Sequence, residues 1–121
     1  KKKKRRQLNN KARKKNKIEN RKSESFYEVL KKAKAPKVID YLSLDVEGAE
    51  YEIFKNFPFS KYKFMSMTIE RPPRKLNNLL FNNGYIFVKN YKVDGFYIHK
   101  SLNNRKKIKF EKFFQIGKKK W

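Results

Sequence analysis

The first 22 residues decide where a core can form. Lys1 to Lys22 holds 13 Lys or Arg, a single acid, Glu19, and only three apolar residues, Leu8, Ala12 and Ile18. Such a stretch cannot bury enough surface to offset the entropy of ordering it. Residues 1–22 therefore read as a basic disordered tail, and any core must come from residues 23–121. That remainder is well supplied, because 16% of the chain is aromatic, too much for a wholly disordered protein. A length of 121 residues allows one domain at most.

The chain carries 34 Lys+Arg against 11 Asp+Glu, a formal net charge of +23. Two readings of this excess stand side by side. The dense cluster Lys1–Arg6 suits phosphate binding or nuclear targeting. Alternatively, the abundance of Lys, Asn, Phe, Tyr and Ile follows from AT-rich codons, without selection for nucleic acid. Nonspecific polyanion binding by the tail is expected on either reading. The absence of cysteine excludes disulfides, zinc fingers and thiol nucleophiles. His99 is the one histidine, so a His-rich metal site is excluded. No apolar run approaches the ~20 residues of a membrane span, and no apolar segment follows the basic start as in a secretory signal. The expected location is intracellular, in the cytoplasm.

Ser25-Phe26-Tyr27-Glu28 fits a capping box, and Phe26, Val29, Leu30 and Ala33 follow at helical spacing. Pro36 ends that helix. Val38–Leu44 is a largely apolar run suited to a buried parallel strand. Helices are expected over 49–56 and 74–82, the second burying Leu76, Leu79 and Leu80 and stopping at Asn83-Gly84. Further strands are expected over 64–69, 85–88 and 96–99, with Asp94-Gly95 as the turn before the last. Phe110, Phe113, Phe114 and Ile116 stand at near-helical spacing beyond Lys100. Strands alternating with helices predict an α/β fold, here a mostly parallel four-stranded sheet with a terminal antiparallel hairpin.

Five of the 11 acids lie between residues 40 and 52: Asp40, Asp45, Glu47, Glu50 and Glu52. Ligands of open α/β sheets bind outside the carboxyl ends of strands. Asp45 and Glu47 follow one strand, and Glu70 and Arg71 end the next. Carboxylates so placed can hold a cation, orient a hydroxyl or act as a general base. Acids in a first helical turn also simply stabilise it through the macrodipole, which is the reading for Glu50 and Glu52. Asp45 could equally be a helix cap.

The run Ile39-Asp40-Tyr41-Leu42-Ser43-Leu44-Asp45-Val46-Glu47-Gly48-Ala49-Glu50 resembles the strand-to-helix signature of the FkbM-type family of S-adenosylmethionine-dependent methyltransferases. Phe26–Leu30, Thr68–Arg71, Leu79–Tyr85 and Asp94–Tyr97 resemble further segments of the same family, so the likeness spans residues 23–102, followed by a basic aromatic extension over 103–121. The resemblance implies strands 4, 5, 6 and 7 of a class I (Rossmann-like) sheet whose order is 3-2-1-4-5-7-6. It implies methyl transfer from S-adenosylmethionine to a hydroxyl of a sugar or other small metabolite. Asp45 and Glu47 would be catalytic, with Asp45 acting directly or through a divalent metal. Glu70, Arg71 and His99 would line the acceptor pocket.

The departure from the family lies upstream. The four glycines, Gly48, Gly84, Gly95 and Gly117, form no glycine-rich cofactor loop. The expectation is thus the C-terminal half of the domain, inactive alone, needing the missing N-terminal half or a partner. Left alone, the 38–44 strand would expose an unpaired edge. The competing expectation is a basic nucleic-acid-binding module, or an inactive remnant, built on the half-fold.

Overall fold

A computed structural model describes residues 24–103 and 105–117. The expected basic tail over 1–22 and the lysines at 118–120 lie outside these residues. The described elements run α1 (Phe26–Lys32), β1 (Val38–Leu44), α2 (Glu50–Phe54), β2 (Lys63–Glu70), α3 (Arg74–Asn82), β3 (Tyr85–Tyr91) and β4 (Asp94–His99), then a 3-10 turn at Arg105–Lys107.

The capping box forms as the sequence predicts. Glu28 N–H donates to Ser25 Oγ at 3.1 Å, and Ser25 N–H donates to Glu28 Oε1 at 3.1 Å. Only Phe26, Tyr27 and Leu30 of α1 pack against the core, while Val29 stays 45% exposed. The stripe is therefore narrower than its spacing predicts. β1 and α3 match their expected ranges, whereas α2 is shorter and β3 runs on to Tyr91.

The mostly parallel sheet does not form. The strand order is β1-β2-β4-β3. β1 and β2 pair in parallel, with Leu44 beside Ile69, but β2–β4 and β3–β4 are both antiparallel. The reason is the last hairpin: it folds back so that β4 lies inside the sheet, between β2 and β3, rather than at its margin. One insertion thus converts one of the three pairings, leaving β1–β2 as the one parallel pair among the described strands. The tight turn is also displaced. It falls at Lys92-Val93, with Lys92 at φ 56°, and Asp94-Gly95 opens β4 instead.

Met67, Ile69, Phe87 and Tyr97 on the strands pack with Leu76 and Leu80 of α3 and Phe54 of α2. Tyr97 donates to Asn77 Oδ1 at 2.9 Å, joining β4 to α3, and burial pushes its phenol well above the ordinary range. At the amino end of β2, Phe64 N–H donates to the Tyr85 hydroxyl at 3.0 Å, filling a ladder position beyond the reach of β4. Phe26, Phe54, Phe57 and Phe64 cluster there with ring centroids 5.4–6.1 Å apart, in the range of favourable aromatic pairs. On the opposite side of the strands, Tyr41, Phe96 and Tyr91 are exposed.

The described segment after Lys107, residues 108–117, forms no helix. It is tied down by Glu111 N–H to Val88 O at 2.7 Å and Asn90 Nδ2 to Phe114 O at 2.9 Å. Phe113 meets Phe87 edge-on at 5.2 Å.

Candidate active site

Three strand ends converge at one margin of the sheet. β1 ends at Leu44, opposite Ile69, so Asp45 leaves beside the end of β2. Glu70, the last residue of β2, is paired in register with Asp94, the first of β4. The inserted antiparallel strand thus brings a third carboxylate to the place where β1 and β2 stop.

Asp45 and Glu70 leave neighbouring strand ends, since Leu44 stands beside Ile69. The Glu70 carboxyl is held above the ordinary range, first by its side-chain interaction with Asp45, then by burial and by the Asp45 charge. Asp94 pushes in the same direction, while the Arg71 guanidinium opposes it. Arg71 Nη1 donates to Glu70 Oε2 at 2.8 Å, and Arg71 N–H donates to Val93 O at 2.7 Å. That backbone bond clamps the end of β2 to the β3–β4 turn. Arg71 Nε is buried without a partner among the described residues.

The backbone around this margin is unusual. Glu47, Arg71 and Lys92 all have positive φ, at 48°, 43° and 56°. Non-glycine residues pay of order 1 kcal/mol or more for this conformation, and such residues gather at functional sites. Gly48 follows at φ 99°, where an added Cβ would meet nothing within 4 Å.

The loop between β1 and α2 is held from below by Glu50. This carboxylate is 2% exposed and accepts from Gly48 N–H at 3.1 Å and Val46 N–H at 3.3 Å. The macrodipole reading of Glu50 is therefore insufficient, because its side chain turns back into the loop and fixes the residues that carry Asp45. Glu52 does keep a surface role, pairing with Lys55 at 3.4 Å.

The predicted site residues separate into two groups. Asp45, Glu70 and Arg71 come together. Glu47 is exposed on the same loop and makes no hydrogen bond or ion pair among the described residues. His99 lies at the other end of the sheet, because β4 runs antiparallel and carries its last residue to the start of β3, opposite Tyr85. There it meets the Tyr85 ring edge-on at 5.0 Å and accepts from Ser101 N–H at 3.1 Å. Burial first, then Lys63 and Lys100, hold His99 below the ordinary imidazole range. Asp94 is the site residue that sequence reasoning passed over. Its signal was the hairpin itself, since a strand returning beside β2 must start where β2 ends.

Among the described residues, no group of three His, Cys, Asp or Glu side chains is placed to hold a metal ion. Two glycines are packed closely: an added Cβ at Gly95 would stand 2.8 Å from Pro72 Cγ, and one at Gly84 would stand 3.3 Å from His99 Nε2. Both glycines serve close packing. No described helix is long and apolar enough to cross a membrane.

The family model described as the methyltransferase FkbM domain matches residues 3–87, more than half of the chain. The match includes the β1 signature, Asp45 and the Glu70–Arg71 pair. Searches of the curated proteins and of the solved structures returned no match.

Proposed function

Because the chain belongs to the FkbM methyltransferase family, we propose that it contributes the acceptor side of an S-adenosylmethionine-dependent O-methyltransferase acting on a hydroxyl of a sugar or small metabolite. The observation that carries this reading is the register that sets Leu44 beside Ile69, so that Asp45 and Glu70 follow at neighbouring ends of β1 and β2. The strand order β1-β2-β4-β3 supports it, being the 4-5-7-6 portion of the sheet that the sequence resemblance implies.

The roles follow from position. Asp45, exposed just beyond the end of β1, is the carboxylate placed to accept a hydrogen bond from an incoming hydroxyl. It orients that oxygen and takes its proton as a general base. Glu70 stands at the neighbouring strand end, held by Arg71 Nη1 at 2.8 Å. Asp94 adds negative charge beside Glu70. The roles of Asp45, Glu70 and Arg71 concern the acceptor, and S-adenosylmethionine would supply the methyl group.

The test is Asp45→Asn in the full natural chain. Asparagine keeps the shape and removes the base. Methyl transfer to the hydroxyl acceptor should fall by about 100-fold or more, with the circular dichroism spectrum and Tm unchanged. Undiminished transfer would remove Asp45 from the mechanism.

A further inference from the structure

A second feature lies at the opposite end of the sheet from the carboxyl pair. Beyond β4 the chain forms a shallow, open concavity of about 470 Å³, and four cations line it: Lys100, Arg105, Lys106 and Lys107. No acid lines it, and none of the four cations has an acidic partner among the described residues. Like charges gathered without counter-charges repel one another unless an anion joins them.

The rim is anchored. Lys100 N–H donates to Gly84 O at 2.8 Å, Leu102 N–H donates to His99 O at 3.0 Å, and Ile108 N–H donates to Arg105 O at 3.0 Å. Ser101 adds a 2.8 Å bond from its hydroxyl to His99 Nδ1. The cations therefore rise from an ordered backbone rather than from a free end.

The same segment then presents two aromatic rings. Phe113 turns inward onto Phe87, and Ile116 is half-buried. Phe110 and Phe114 instead remain 43% and 65% exposed, although Asn90 and Val88 hold the backbone beside them. Phe110 follows Lys107 by three residues, at most about 10 Å of extended chain. A cationic groove that tracks phosphates, with aromatic rings for bases to stack on, is how proteins hold single strands without reading sequence.

We propose that Lys100, Arg105, Lys106 and Lys107, together with the exposed rings of Phe110 and Phe114, form a binding surface for single-stranded nucleic acid. The surface does not depend on the methyltransferase reading, because it uses none of the groups of Asp45 and Glu70; it runs along β3 from the cations beyond β4 to Phe114 beside Asn90.

The test uses the full chain and a fluorescent single-stranded oligothymidine, with anisotropy read across a salt series. K100Q/R105Q/K106Q should weaken binding at least about tenfold and flatten the log–log salt slope by about 2, near 0.7 per lost phosphate contact. F110A/F114A should weaken binding about fivefold or more through lost stacking, with the slope unchanged. K31Q/K34Q/K37Q, which removes the same charge near α1, should leave both quantities close to those of the parent. If that control weakens binding as much as the concavity variant, overall charge does the binding and the proposed surface is overturned. It is overturned equally if the phenylalanine variant binds the oligonucleotide as the parent does, or if base-free polyphosphate competes as well as the single strand.

Discussion

The buried carboxylate of Glu50 accepts a hydrogen bond from the backbone N–H of Gly48 at 3.1 Å, two residues back along the chain. This contact, with its companion from Val46, converts a loop at positive φ into a fixed platform for Asp45. The site's geometry therefore depends on a residue that need never touch a substrate.

Glu50→Ala should destabilise the protein by about 1–3 kcal/mol, since two backbone donors lose their partner in a half-buried place. Thermal unfolding measures the loss. Hydrogen exchange at Val46 and Gly48 should accelerate in the same variant, while exchange in α3 stays slow.

Asp45→Asn should bring the Glu70 carboxyl down towards the ordinary range, because the first and third causes of its elevation both come from Asp45. The sign for stability follows. Where Glu70 is raised, the folded state holds a proton that the unfolded state has released. Stability then declines as pH rises from the ordinary Glu value through the elevated one. Carbon-detected NMR titration of Glu70 should show the shift, and the pH–stability curve of Asp45→Asn should be flatter over that window.

Gly95→Ala should cost about 1–3 kcal/mol through overpacking, because the new methyl would lie 2.8 Å from Pro72 Cγ and 3.3 Å from its Cδ. Both partners are buried, and neither is a flexible side-chain end. The substitution should also disturb Asp94, its neighbour in β4, and so alter the Glu70 titration. A Tm equal to that of the parent would mean that the β2–β4 register relaxes more freely than this packing suggests.

His99 gives a second pH dependence of opposite direction. Its imidazole is held below the ordinary value, so the unfolded state takes up a proton first as pH falls. Stability due to His99 is complete above about pH 6.5 and is lost as pH drops through that value towards the folded one. His99→Gln should remove this component from urea unfolding measured between pH 5 and 7.

Much of the local structure was legible because its causes are local. The Ser25–Glu28 box, the apolar run of β1 and the leucines of α3 between Pro73 and Gly84 each depend on neighbours within a turn or two. The order of the strands came from the family likeness and not from local pattern, since β4 enters between β2 and β3 through β2–β4 pairings 24 or more residues apart, such as Glu70 with Asp94. The dipeptide Asp94-Gly95 signalled a turn, yet Gly95 is required for its closeness to Pro72, and the turn falls on Lys92. Glu50 resembled any acid in a first helical turn, because its backward reach into the loop leaves no mark on composition. His99 could be placed only once the direction of β4 was known.

The position of β4 also has a consequence for the order of assembly. β3 leaves the ribosome before β4, yet β4 is its one strand partner among the described residues. Until residues 94–99 emerge, β1 and β2 are the described strands able to pair, and the Met67–Ile69 side of β2 awaits the described strand that covers it. Completion of the sheet is then a late, nonlocal event of the kind that slows folding and leaves strand edges open. A nascent chain arrested in the β3–β4 turn would hold the Asp45 loop and Glu70 but lack Asp94 and the strand that bridges the two halves of the sheet.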